Sequence, residues 1–111
     1  MIWFAFVLAV ISLAATTWWD ILRTDQGIRY TMCQERTWIV RLFCSERPSL
    51  GSLLALFISM ELALALAILG LIVTEQHILA WAFIGVMFGA CVGHVRGARE
   101  WEMILRKCRR L

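Results

Sequence analysis

One ionisable side chain, Glu61, lies inside the apolar run Leu50–Val73, about a dozen residues from either end. A carboxylate at the centre of a bilayer costs roughly 2.5–3.5 kcal/mol on insertion scales. It persists when it is protonated, paired or facing a hydrated path. Two roles fit such a group: a proton relay that couples to conformational change, and a protonated acid hydrogen-bonded to a neighbouring helix. A lone acid forms no path, so partner chains are expected to supply the remaining polar groups. No other motif carries chemistry. There is no phosphate-binding Gly-rich loop, no HExxH, no CxxC and no nucleophile elbow, so no catalytic residue is assigned. His77 and His94 stand near the two ends of an apolar segment without an evident second ligand. Cys33 and Cys44 have no His near them, short of the four ligands of a zinc site, so neither a metal nor a cofactor is assigned to this chain. Cys91 suits small-residue packing inside a helix.

The elements that position Glu61 follow from composition. Of 111 residues 61% are hydrophobic, with one Pro, and the mean hydropathy is +0.76. Soluble domains are about 45–50% apolar, so the chain reads as a polytopic, all-α membrane protein. Three segments have the ~20 residues needed to cross ~30 Å of hydrocarbon. They are Met1–Trp19, Leu50–Val73 and His77–Val95. No Lys or Arg precedes Arg23, and Trp18 and Trp19 suit an aromatic belt, so the first segment reads as a span and not a signal peptide. Asp20–Ser49 is expected to be a long loop and Arg96–Leu111 a tail, which makes residues 1–111 one three-helix domain.

Every Lys and Arg falls on one side. Five Arg (Arg23, Arg29, Arg36, Arg41, Arg47) lie between the first two spans, and six basic residues follow the third. The positive-inside rule then puts the N-terminus outside and the loop and tail inside. That bias accounts for the net charge of +3, and no nucleic-acid partner is inferred. Lipid is expected around the spans, and the tail suits an anionic-lipid anchor or a docking role.

Within this frame Thr74-Glu75-Gln76 predicts a tight hairpin with the second and third spans antiparallel. Ser49 and Ser52 can cap the second helix after Pro48. Gly85, Gly89, Gly93 and Gly97 recur every four residues and predict a close helix–helix contact, within the chain or with a partner. Trp101, Ile104 and Leu105 recur at helical spacing, so the third helix should continue past the interface. The six Trp read as belt anchors.

The chain resembles a divergent NADH dehydrogenase subunit 3, the A-subunit of the bacterial enzyme, in the membrane arm of respiratory complex I. The resemblance covers the layout of the whole chain: length, three spans, outside N-terminus, long inner loop and inner tail. The residues that carry it are short motifs. Phe57-Ile58-Ser59-Met60-Glu61-Leu62 is similar to the family's second-span acidic motif, with Glu61 at its glutamate. Tyr30-Thr31-Met32-Cys33 is similar to a loop element, one residue longer, and Arg99-Glu100-Trp101-Glu102 resembles the family's tail. Ser59 stands where the family has an aspartate, Gln34 where it has a glycine, and the loop prolines are reduced to Pro48. The resemblance implies a non-catalytic subunit that helps couple quinone reduction to proton translocation. Glu61 would be the relay and Cys33 would sit in a loop that switches between ordered and mobile states. FMN, iron–sulfur clusters and ubiquinone would belong to the parent complex, with other membrane-arm and quinone-module subunits as partners. The location would be the mitochondrial inner membrane or, alternatively, a bacterial plasma membrane.

Three other readings compete. The 4L subunit family of the same complex normally has a short first loop and a further acid in the third span, unlike this chain. A phage holin-like oligomeric pore former fits the topology and would use the glycines to oligomerise, but gives Glu61 no task. A structural accessory subunit of another respiratory or photosynthetic complex also fits.

Overall fold

The computed structural model describes residues 1–30 and 49–109. Three helices make up nearly all of this: α1 (Ile2–Tyr30), α2 (Leu50–Val73) and α3 (His77–Arg109). All three are long and apolar enough to cross a membrane, and among the described residues there is no strand. The expected multi-pass, all-α architecture is therefore the observed one.

The expected boundary at Asp20 needs correction. α1 runs through it to Tyr30, so the first eleven positions assigned to the loop, 20–30, are helical. The segment contains no Pro, and its apolar spacing continues past the charges, with Ile21, Thr24 and Ile28 all buried. Tertiary packing thus carries the helix beyond the hydrophobic stretch. α3 likewise continues past Val95, as its tail spacing predicts, burying Ala98, Trp101 and Leu105.

The α3 positions that turn inward are Ala80, Ile84, Met87, Cys91, His94, Ala98, Trp101 and Leu105. Steps of four and three alternate along this row, which is the seam spacing of paired helices. α1 answers with Ala9, Leu13, Thr17, Asp20 and Thr24. Asp20 meets His94, and Gly27 meets Trp101, so both helices advance by seven residues between contacts and run parallel. α2 returns antiparallel against them. It packs Ile68 and Ile72 with Ile2, Ala9 and Leu13 at one end, and Leu53 with Ile21 at the other.

Local chemistry sets the ends of α2. The Ser49 Oγ accepts the Ser52 N–H at 3.1 Å as N-cap. At the C-terminus Gln76 N–H donates to the Leu71 carbonyl (2.9 Å) and Glu75 N–H to the Ile72 carbonyl (3.1 Å). This is the Schellman arrangement, and Glu75 occupies its left-handed position with φ 61°. The resulting turn is short enough to set α2 and α3 side by side.

The molecule measures 55 × 24 × 18 Å. Thirty-three residues give α3 a length of about 50 Å, well beyond ~30 Å of hydrocarbon. The charged ends of α1 and α3 therefore leave the apolar layer together as a two-helix stalk. Its tightest contact is at Gly27, where a Cβ would lie 2.0 Å from the Trp101 ring. Trp101 is buried in this joint, so it is not one of the belt anchors, whereas Trp3, Trp18 and Trp81 are exposed as expected of a belt. Gly27→Ala should destabilise the fold by about 1–3 kcal/mol, the usual cost of overpacking. Reversible unfolding in mixed micelles would measure it, with Gly89→Ala, where a Cβ meets open space, as the neutral comparison.

Candidate functional site

Glu61 occupies the inward row of α2, in step with Leu53, Phe57, Leu64, Ile68 and Ile72, where every other member is apolar. The carboxylate is thereby turned into the groove between α1 and α3. There it accepts a hydrogen bond from the Thr17 hydroxyl. On its other side lies His94, with Nε2 4.0 Å from Glu61 Oε1. The opposite ring nitrogen, Nδ1, is 2.7 Å from Asp20 Oδ2. Thr24 Oγ1 donates to Asp20 Oδ1 at 3.4 Å. The Phe57 ring meets the imidazole edge-on, with centroids 5.0 Å apart, and confines it from the α2 side. All three helices thus contribute to one polar layer.

Depth follows from helical rise of 1.5 Å per residue. Glu61 lies about 18 Å from the Val73 end of α2, near the middle of the membrane. His94 and Asp20 lie about 26 and 27 Å from the starts of α3 and α1. The row Glu61–His94–Asp20 therefore descends from mid-membrane towards the basic end of the molecule. On the other side of Glu61 the three helices close on an apolar cluster that includes Leu13, Ile68, Ile84 and Met87. Towards the basic end a second apolar cluster, Ile21 with Leu53, lies at about the depth of Asp20.

Below Asp20 a second polar group joins α1 to α3. Glu102 Oε1 accepts from Trp19 Nε1 and from Arg23 Nε, both at 3.0 Å, and Arg23 Nη1 donates to Gln26 Oε1 at 2.7 Å. Among the described residues no buried side-chain nitrogen or oxygen lacks a hydrogen-bond partner. No group of three or more His, Cys, Asp or Glu there is arranged to hold a metal ion.

An imidazole between two carboxylates can pass a proton without turning. With the proton on Nδ1, the ring donates to Asp20 and presents the Nε2 lone pair to Glu61. A proton arriving at Nε2 from Glu61 lets Nδ1 release its own to Asp20, and the reverse sequence carries a proton inward. Closing the 4.0 Å gap by about 1 Å would bring that pair to transfer distance. The same polar pair, flanked in the α1 row by Thr17 and Thr24, also specifies the register of α1 against α3.

Thr17 and His94 of the same chain flank Glu61, and Asp20 lies beyond the imidazole. Sequence reasoning missed Asp20 because charge placed it in a loop, and gave His94 no role because no second ligand was evident. Of the four glycines, Gly97 alone faces another helix in the monomer: a Cβ there would meet Asp20 Oδ1 at 2.8 Å. Gly97 thus gives the Asp20 carboxylate its room. Gly85, Gly89 and Gly93 meet no other atom among the described residues. Cys33, with Thr31, Met32 and Gln34, lies outside the described residues. No protein-family model, no curated protein and no solved structure matches this chain.

Proposed function

We propose that this protein is a proton-handling membrane subunit, with Glu61 as the mid-membrane end of a relay that continues through His94 to Asp20. The observation that carries the reading is the imidazole held between two carboxylates from two other helices. A relay that reaches only the middle of the membrane and then meets an apolar plug does not conduct by itself. It stores or delivers a proton in step with a movement elsewhere. The assembly we propose for it is the membrane arm of respiratory complex I, in a mitochondrial inner or bacterial plasma membrane, with the basic end inside. Support for that assembly comes from the layout and from Glu61 standing at the family's acidic position with polar partners around it. FMN, iron–sulfur clusters and ubiquinone would be bound by other subunits.

A second reading, the oligomeric pore former, is favoured by one observation: the open face over Gly85, Gly89 and Gly93 permits close packing of copies. Native-gel fractionation of mild-detergent membranes, with mass spectrometry for this chain, separates the two. Co-migration with NADH-dehydrogenase activity in a very large complex supports the subunit, and a small homo-oligomer away from that activity sinks it. For the relay itself the test is a hydrophobic carbodiimide, which adds a protonated carboxyl across its N=C bond and leaves an acylurea. Glu61 should be the labelled residue within the membrane span. Absence of label on Glu61 under conditions that modify a control intramembrane acid would remove the relay.

A further inference from the structure

Between the Glu61–His94–Asp20 row and the aqueous end of the molecule stands the Trp19–Arg23–Glu102 group. Its geometry is that of a bolt. Arg23 lies one turn beyond Asp20 on α1, Glu102 lies two turns beyond His94 on α3, and their side chains meet across the seam at 3.0 Å. Trp19 donates to the same Glu102 oxygen, which places an indole at the joint. Gln26 holds the other arm of the guanidinium. Glu102 is about 38 Å along α3 from His77, beyond ~30 Å of hydrocarbon, so its carboxylate sits at the water side while Asp20 sits at the apolar boundary. Among the described residues Arg23 is the cation ion-paired with Glu102, and it stands one turn beyond Asp20 on α1.

A fixed guanidinium in a narrow path is an electrostatic barrier to protons and cations. Its pairing with Glu102 is what keeps it there. Both partners are only partly exposed, 35% and 26% for their side chains, so the pair is neither a fully solvated surface contact nor a sealed core one. Such a pair is able to open. Among the described residues the charged neighbours of the bolt include Asp25 and Arg29 of α1, which pair with each other at 3.3 Å, and Arg99 and Arg106 of α3, one turn before and one turn past Glu102. α2 brings no charge other than Glu61 to this side, since its inner turns are Leu50–Leu54.

We infer that Arg23, held by Glu102 and Trp19, is the gate of the relay, closed as seen, and that Glu102 is the carboxylate that collects protons at its mouth. Opening requires Arg23 to leave Glu102, which would put Glu102, water and Asp20 in line. This rests on the relay reading of Glu61.

The test follows the protonation of Glu61 after a pH jump in the full chain, reconstituted in zwitterionic lipid. Time-resolved infrared absorption of its carboxyl C=O stretch is the readout, assigned by its disappearance in Glu61→Gln. The wild-type response should be slow. Arg23→Gln should speed it at least tenfold, and Arg23→Lys, which keeps the charge, should stay within about threefold of wild type. Equal rates in wild type and Arg23→Gln, with the Glu61 band present and responsive, overturn the gate and leave the relay standing. A Glu61 band that does not respond to pH in any variant removes the relay and the gate together. Circular dichroism at the same pH values checks that each variant keeps its helices. An Arg23→Gln protein that loses helix is replaced by Arg23→Met, which fills the same volume without charge.

Discussion

Membranes carrying Glu61→Gln should lose at least nine-tenths of the proton translocation of the assembly to which this chain belongs. Glutamine keeps the size of the side chain and can still accept the Thr17 hydroxyl through its carbonyl, so the fold should be little disturbed, by about 1 kcal/mol or less. What it cannot do is take up or release a proton beside His94 Nε2. A tenfold loss corresponds to about 1.4 kcal/mol on the barrier of the coupled step, a modest requirement for removing the one mid-membrane acid. Proton pumping per turnover, measured with a pH-sensitive dye in sealed vesicles, is the quantity to follow. Full retention of pumping with normal assembly would reduce the polar layer to its packing role, because the seam needs polarity there and not a titrating group. Glu61→Asp sharpens the comparison. It keeps the carboxyl but draws it back by one methylene, so activity should fall less than with Gln.

The largest effect on stability is expected at His94. His94→Ala leaves Asp20 and Glu61 facing a cavity without the imidazole that lies between them. His94 and Asp20 are 12% and 15% exposed, which is deep enough for the loss to be felt as an unpaired buried group. Removing one partner of such a pair costs about 3–5 kcal/mol, and the remaining exposure here argues for the lower end. Reversible unfolding in mixed micelles would show it as a drop of about 3 kcal/mol. Asp20→Leu combined with His94→Ala should recover part of that loss, because the Asp20 carboxylate is removed together with its partner, while Thr24 still loses its acceptor. The double-mutant cycle therefore reads the coupling of the pair directly. A coupling under about 0.5 kcal/mol would mean that the pair does not hold α1 and α3 in register. The two predictions also separate roles: Glu61→Gln acts on proton transfer with the fold kept, while His94→Ala acts on both.

Sequence by itself determined the class, the number of spans and the identity of the central acid. Those are the consequences of one-body costs: an apolar run must avoid water, and a carboxylate inside it must be accounted for, whatever lies nearby. The hairpin at Thr74–Gln76 and the helical tail were legible for the same reason, since turn length and side-chain spacing are local. Tertiary structure decided what Glu61 is next to. Asp20 looked like the first residue of a loop because charge ends a hydrophobic stretch. It became a helical, inward-facing residue because α1 continues as long as α3 gives it a surface to bury against. His94 stood near the inner end of the third span without an evident partner until the register of two parallel helices put its Nδ1 on Asp20. The glycines show the same division. Their four-residue spacing is plain in the sequence, yet only Gly97 meets a neighbouring helix, because the seam runs along the opposite side of α3 from Gly85, Gly89 and Gly93. In a segment that is apolar all round, periodicity does not say which face turns inward; pairwise contacts do, and those exist only once the helices are packed.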